Sequence, residues 1–151
     1  MNMEKGDLIT LALEGRFDVI VHGCNCFCTM GGGIARTIQE EFPEVYAADL
    51  VTTKGDRNKL GTFSRATVSR NGRELTIVNG YSQYHFHGAG MLVDYDAVRQ
   101  LFAKIKKEFS GKRIGYPKLG AGLAGGDWQI LSAIIDEELV GEDHTLVIHT
   151  P

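Results

Sequence analysis

Short apolar runs alternate along this chain with segments whose apolar residues recur every three or four positions. That is the pattern of buried strands separated by helices. Met1–Lys5 reads as an edge strand. It is followed by a turn at Gly6-Asp7-Leu8 and a brief helical turn carrying Leu8, Leu11 and Ala12, ended by Gly15. Val19–Cys24 is a continuous apolar run of the kind buried on both faces of a sheet. Gly33–Phe42 predicts a helix with Ile34, Ile38 and Phe42 on one face. Pro43 interrupts it, and Val45–Thr53 follows as a second helix. Lys54–Gly61 is polar and loop-like. Thr62–Ser69 and Glu74–Asn79 flank Arg70-Asn71-Gly72-Arg73, and Asn-Gly between two β-prone runs predicts a hairpin.

Tyr81–Met91 is irregular, aromatic and rich in histidine. Asp94 then predicts the N-cap of a long helix with Val98, Leu101, Phe102, Ile105 and Phe109 on its apolar face and Gly111 as its stop. Arg113–Tyr116 is a short strand. Asp127–Leu139 is a helix with Ile130, Leu131, Ile134 and Ile135 inward, and His144–His149 is a last strand. No repeat, linker or low-complexity tract interrupts this order. The fold class is therefore α/β, with a mixed sheet and helices on both faces. Residues 1–151 read as one domain, long enough to bury its own core.

Composition adds exclusions. The formal charge is −3, so no basic field draws long nucleic acid. No apolar run reaches the length of a membrane span, and the N-terminus lacks a basic leader pattern. The three cysteines crowd into Cys24–Cys28, which argues against a disulfide framework and for a reducing compartment, the cytoplasm by default.

Two clusters stand out among the 19 glycines, and both follow a strand and open a helix. Gly31-Gly32-Gly33 precedes one helix, and Gly120-Ala121-Gly122-Leu123-Ala124-Gly125 precedes another. Such loops offer bare backbone N–H groups and a helix N-terminus to an anion, and two of them point to a ligand with more than one phosphate. The second loop fits G-x-G-x-x-G, but one helix and one strand remain after it, too little for a dinucleotide-binding half. It is no Walker A loop either, because Gly126-Asp127 stands where Lys and Ser/Thr are needed. The plain alternative is a pair of glycine-rich connections with no ligand.

His22, Cys24, Cys26 and Cys28 are spaced by two. Strand residues at that spacing lie roughly 6–7 Å apart, too far to converge on one zinc ion at about 2.3 Å per sulfur. No metal and no cofactor is expected, and the thiols read as reduced and buried. A nucleophilic Cys26 or Cys28, activated by the nearby helix N-terminus, is the competing reading. His85 and His87 flank Phe86 in the irregular loop and are either surface residues or a ligand cover. Asp7 is either a helix cap or a ligand contact, and Trp128 a core seal.

Taken together, these residues resemble the macro domains, an ADP-ribose-binding family of three-layer α/β/α domains with a mixed central sheet. The likeness covers nearly the whole chain. Gly6-Asp7-Leu8 is similar to the family's N-terminal motif, which implies that Asp7, with Leu8 beside it, holds the adenine. Val21-His22-Gly23-Cys24-Asn25 with Gly31-Gly32-Gly33-Ile34-Ala35 is similar to its first loop, which implies that Asn25 meets the distal ribose and the glycines and Ile34 line the pyrophosphate. Lys118-Leu119-Gly120-Ala121-Gly122-Leu123, continuing to Ala124, is similar to its phosphate-gripping second loop. Within the family, His22–Cys26 resembles the yeast-type ADP-ribose 1″-phosphate phosphatases, and Tyr116–Trp128 the branch with terminal ADP-ribose–glutamate hydrolases. That branch's Asp is replaced by Ala124, and no lysine occurs between Lys59 and Lys104. The acidic residue of the larger mono-ADP-ribosyl hydrolase branch is replaced by Ala35.

The resemblance implies binding of ADP-ribose or ADP-ribose 1″-phosphate, or of an ADP-ribosylated protein, with hydrolysis at the distal ribose. Asn25 orients ribose or water, and His22 is the nearby titratable base. Strand alternation puts His22 and Asn25 on opposite faces, so they share a site only if the chain turns between them. The alternative is a reader that binds ADP-ribose without turnover.

Overall fold

The computed structural model describes residues 1–88 and 90–150. Its centre is a six-stranded sheet in the order β1-β6-β5-β2-β4-β3. The strands are β1 (Asn2–Gly6), β2 (Val19–Cys24), β3 (Phe63–Arg70), β4 (Arg73–Tyr81), β5 (Arg113–Tyr116) and β6 (Asp143–His149). All neighbours run parallel except β3 and β4, the antiparallel hairpin. At its turn Asn71 and Gly72 take φ of 54° and 73°, the left-handed pair that a two-residue hairpin loop requires and that Asn-Gly supplies.

Helices cover both faces. α1 (Leu8–Leu13), α2 (Gly33–Glu41) and α3 (Pro43–Leu50) pack with Ile20, Cys24 and Ile77 on one side. α4 (Tyr95–Phe109) and α5 (Trp128–Glu138) pack with Val19, Val21 and Val78 on the other. The alternation of strand side chains divides β2 between these two cores, with even positions toward α1–α3 and odd ones toward α4–α5. On α4, Val98, Leu101, Phe102 and Ile105 are wholly buried, and each such side chain contributes about 1.5–3 kcal/mol by leaving water. The Asp94 carboxylate accepts from the Ala97 N–H at 3.0 Å and caps this helix, as its sequence predicts.

Three expectations change. Pro43 does not separate two helices by a gap; it is the first residue of α3, where its missing N–H costs nothing, so α3 begins before Val45 and ends before Thr53. Ile130 is 45% exposed, because in the first turn of α5 the face toward the sheet is held by Leu131 and, one turn on, by Ile134 and Ile135. The polar Lys54–Gly61 segment holds a 3₁₀ turn (Arg57–Lys59) that buries Lys59. The irregular Tyr81–Met91 stretch follows β4 as expected; Ala89, within it, and Pro151, at the end of the expected domain, lie outside the described residues. Among the described residues no helix is long and apolar enough to cross a membrane.

Candidate functional site

In a parallel sheet whose neighbouring connections leave toward opposite faces, a crevice opens at the carboxyl ends of the strands. Here that happens between β2, whose loop leads to α2, and β5, whose loop leads to α5. A cleft of about 370 Å³ lies at this edge, lined by Gly6, Asp7, Leu8 and Ile9 from the β1–α1 corner, Gly33, Ile34 and Thr37 of α2, Pro117 after β5, and Val147 and His149 of β6. Asp7 caps α1 through one oxygen, which accepts from the Thr10 N–H at 2.9 Å and hydroxyl at 2.8 Å. Its other oxygen lies 4.0 Å from His149 Nδ1. Leu8 is buried beside it in the cleft floor.

The first loop runs from Asn25 to Gly32. Gly32 caps α2 without a side-chain hydrogen bond. The N–H groups of Gly32, Gly33 and Ile34 find no acceptor among the described residues, as expected of an uncapped first turn. Gly33 has φ +57°, a left-handed conformation that glycine adopts most readily, whereas Gly31 has no such φ and a Cβ on it would meet nothing within 4 Å. In the second loop, Ala121, Gly122 and Leu123 form the tip, and Leu123 is 89% exposed. The N–H groups of Gly122, Leu123 and Ala124 likewise find no acceptor among the described residues. A Cβ on Gly32 would lie 3.8 Å from Leu123, so the two loops stand opposite each other. Ala124 is anchored while its N–H stays free among the described residues. Its side chain is buried, and its carbonyl accepts from the N–H groups of Leu92 and Val93 at 2.7 and 3.2 Å.

Asn25 sits where the chain leaves β2, and its carboxamide is engaged within its own loop. Nδ2 donates to the Thr29 hydroxyl and carbonyl at 2.7 and 3.1 Å, and Oδ1 accepts from the Phe27 N–H at 2.8 Å. Asn25 thus shapes the loop that ends in the glycines.

His22 does not stand in the cleft, and this corrects its assignment as acid or base. It points toward α3, is fully buried, and pairs with Asn79 Oδ1 at 2.7 Å, while Asn79 donates to the Val45 carbonyl. Burial lowers its pKa to about 4 against the opposing Asn79 hydrogen bond, so the ring is neutral at pH 7. The thiols are free and buried. Burial raises Cys24 well above its ordinary value and Cys26 to about 11, the reverse of an activated nucleophile. The Cys28 thiol donates to the Asp49 carbonyl at 3.3 Å. Among the described residues no group of three His, Cys, Asp or Glu is placed to hold a metal ion.

Sequence reasoning missed the support beneath the first loop. Lys59 Nζ donates to the Cys26 carbonyl at 3.1 Å and lies over the Tyr81 ring at 4.7 Å. Tyr81 donates to Asp49 Oδ1 at 2.7 Å. Burial raises the Asp49 pKa, against Tyr81 and the Lys59 charge. Lys59 lies 33 positions from Cys26 and Asp49 lies 32 from Tyr81, so no spacing signal links either pair. The described residues of Ser82–Val93, which take in most of the irregular Tyr81–Met91 stretch, form a strap across both loops. The Cys26 N–H donates to the Tyr84 carbonyl at 2.9 Å at one end, and Leu92 and Val93 donate to Ala124 at the other.

This chain is 34% identical over 137 residues to an uncharacterised 17.5 kDa protein of Enterobacteria phage T4, a match spanning 87% of this chain and 85% of that one. It is 26% identical to the ADP-ribose 1″-phosphate phosphatase of Debaryomyces hansenii over 88% of this chain and 90% of the enzyme. No family model matches the chain. In fold it is similar to the macrodomain of Thermus aquaticus DarG, with a TM-score of 0.70 and 23% identity over 99% of this chain and 97% of that one. The six-stranded mixed sheet, the helices on both faces and the paired glycine loops at its carboxyl edge agree with these likenesses: the chain has the macrodomain fold.

Proposed function

We propose that the cleft binds ADP-ribose and that the protein hydrolyses ADP-ribose 1″-phosphate or a related ADP-ribosyl derivative. The observation that carries this reading is the pair of opposed loops whose N–H groups at Gly32, Gly33, Ile34, Gly122, Leu123 and Ala124 lack partners among the described residues. A diphosphate laid between them satisfies these donors without a basic patch. The Asp7 oxygen that faces His149 receives the adenine amino group, and Asn25 holds the loop against which the distal ribose lies. Such binding also accounts for Gly31, where no protein atom excludes a side chain.

In the 1″-phosphate reaction, water attacks phosphorus and the bond from phosphorus to the ribosyl oxygen breaks. A proton passes to that oxygen, and ADP-ribose and inorganic phosphate leave. With His22 sealed in the core, the substrate's own phosphate oxygens take the proton from water. The loop N–H groups meet the developing negative charge. The phosphatase named among the relatives supports this choice of substrate. One observation favours the second reading, a non-catalytic reader: the titratable side chains that line the cleft, Asp7 and His149, stand at its β1–β6 end, away from the distal ribose.

A ³¹P NMR time course with ADP-ribose 1″-phosphate separates these readings. Growth of inorganic phosphate supports the phosphatase. Shifted diphosphate resonances without new phosphate support the reader, and an unperturbed spectrum overturns ADP-ribose binding.

A further inference from the structure

We infer that the Cys28 thiol and the Lys59 amine form a peroxide-responsive modification site, in which oxidation joins Sγ to Nζ as a sulfenamide crosslink and loosens the first loop. The crosslink stands on its own geometry. Its effect on a ligand rests on the proposed reading of the cleft as an ADP-ribose site.

Lys59 Nζ lies 3.6 Å from Cys28 Sγ, and both residues are buried. Among the described residues, neither of the other thiols is hydrogen-bonded to an amine. Cys24 lies against His22 and Asn79, and Cys26 donates to the Gln83 carbonyl at 3.6 Å. Cys28 is also the least buried of the three, so an oxidant as small as hydrogen peroxide reaches it first. The same lysine nitrogen holds the loop through the Cys26 carbonyl at 3.1 Å.

The chemistry closes without stranding a charge. The Cys28 thiol and hydrogen peroxide give a sulfenic acid and water, with sulfur oxidised by two electrons and peroxide reduced. The Lys59 nitrogen then attacks that sulfur, the S–O bond breaks, and the hydroxyl leaves as water. The ammonium gives up two protons, one to the leaving hydroxyl and one to a base. Asp49 is placed to be that base. Its Oδ2 is buried and has no hydrogen-bond partner among the described residues, and its backbone carbonyl accepts from the Cys28 thiol at 3.3 Å. Burial pushes its carboxyl pKa up, and the Lys59 charge that opposes this is the charge the crosslink removes. Lysine and aspartate become neutral together, which avoids an unpaired buried charge.

The consequence falls on the loop. The Cys26 carbonyl loses a charged donor and is left with a neutral N–H on a nitrogen drawn toward Cys28. Hydrogen bonds to charged groups are about twice as strong as neutral ones. Gly32, Gly33 and Ile34, whose N–H groups lack acceptors among the described residues, stand where this loop enters α2. Loosening it weakens the grip on a diphosphate about fivefold.

The test treats the full chain with dilute hydrogen peroxide, digests it with trypsin for mass spectrometry, and measures ADP-ribose affinity by calorimetry before and after. The expected product joins residues 17–36 to residues 58–65 and is two hydrogens lighter than their sum. It is absent from Lys59→Arg, whose guanidinium stays protonated. ADP-ribose affinity falls about fivefold and recovers on thiol reduction, which restores the thiol and the amine but not methionine sulfoxide. A disulfide between Cys26 and Cys28, which stays within one peptide, overturns the site. So does a Cys28 sulfinic acid with Lys59 unmodified, or a Cys28 thiol still free when the exposed Met3 is already oxidised. A crosslink that leaves ADP-ribose affinity unchanged overturns its control of the loop. If the reduced protein binds no ADP-ribose, the proposed function falls, and the crosslinked peptide still decides the site by mass alone.

Discussion

The two glycine loops look alike in sequence and are built in opposite ways. The first is shaped by side chains. Asn25 folds it from within, Lys59 holds the Cys26 carbonyl, and Tyr46 donates to the Cys28 carbonyl at 3.0 Å. The second is shaped by backbone. Gly126 donates to the Gly120 carbonyl at 2.8 Å, Gly125 to Gly122 at 3.0 Å and Ala121 to Lys118 at 3.2 Å, and the strap binds the Ala124 carbonyl. A loop built from side chains fails when a side chain is removed or changes its charge. A loop built from close backbone contacts fails when a Cβ is added.

The sharpest way to break the second loop is Gly126→Ala. The new Cβ would lie 2.6 Å from the Gly120 carbonyl oxygen and 2.7 Å from Val93, and the backbone atom cannot swing aside. We expect a loss of about 3 kcal/mol, at the upper end of overpacking costs, seen as a lower midpoint in urea unfolding.

Acid probes the polar layer beneath the first loop. Burial holds the folded His22 imidazole at about 4, below its unfolded value of 6.5. Between these values the unfolded chain binds the extra proton. The stability contributed by the neutral ring is therefore complete above pH 6.5 and is lost as pH falls toward 4, at up to 1.4 kcal/mol per unit, about 3 kcal/mol in all. Urea unfolding of wild type and His22→Asn across this window should show the difference in stability between the two narrowing as pH falls. Parallel curves would mean that His22 is not the group responsible.

The smallest effect expected is that of Asn25→Ala, about 1 kcal/mol of stability from the lost loop hydrogen bonds. Its value lies in the contrast with Gly126→Ala, because ADP-ribose affinity measured by calorimetry should fall further than this modest change in stability implies. A loss of stability above 3 kcal/mol would show that Asn25 holds more than its own loop.

Much of this architecture was legible because its signals are local. Asp94 and Asp127 cap their helices through their own side chains two or three residues on. The Asn71-Gly72 turn needs left-handed backbone at both positions, and the residues chosen accept it. The α1 corner at Gly6-Asp7-Leu8 and the start of α2 at Gly33 and Ile34 line the cleft, and the tip of the second loop faces Gly32; each is a strand end, loop and helix start consecutive in sequence. Pro43 and Ile130 were misread where one residue served two patterns: a proline both breaks and begins helices, and an isoleucine in a first turn fits either face.

The inward turn of His22 was not legible. In a strand buried on both faces, alternation says that His22 and Asn25 differ in side but not which side holds the ligand, and only the packing of α3 with Asn79 decides it. The Lys59 contact with Cys26 joins residues 33 positions apart, and the Cys26–Tyr84 and Leu92–Ala124 bonds that turn Ser82–Val93 into a strap join segments with no common pattern. The sequence by itself determined the elements, their order and the two anion-ready loops, because capping, period and glycine geometry act within a few residues. The tertiary structure alone decided which side chains face the cleft, which are sealed beneath it and what lies at its far end, because those depend on contacts that exist only once distant strands are adjacent.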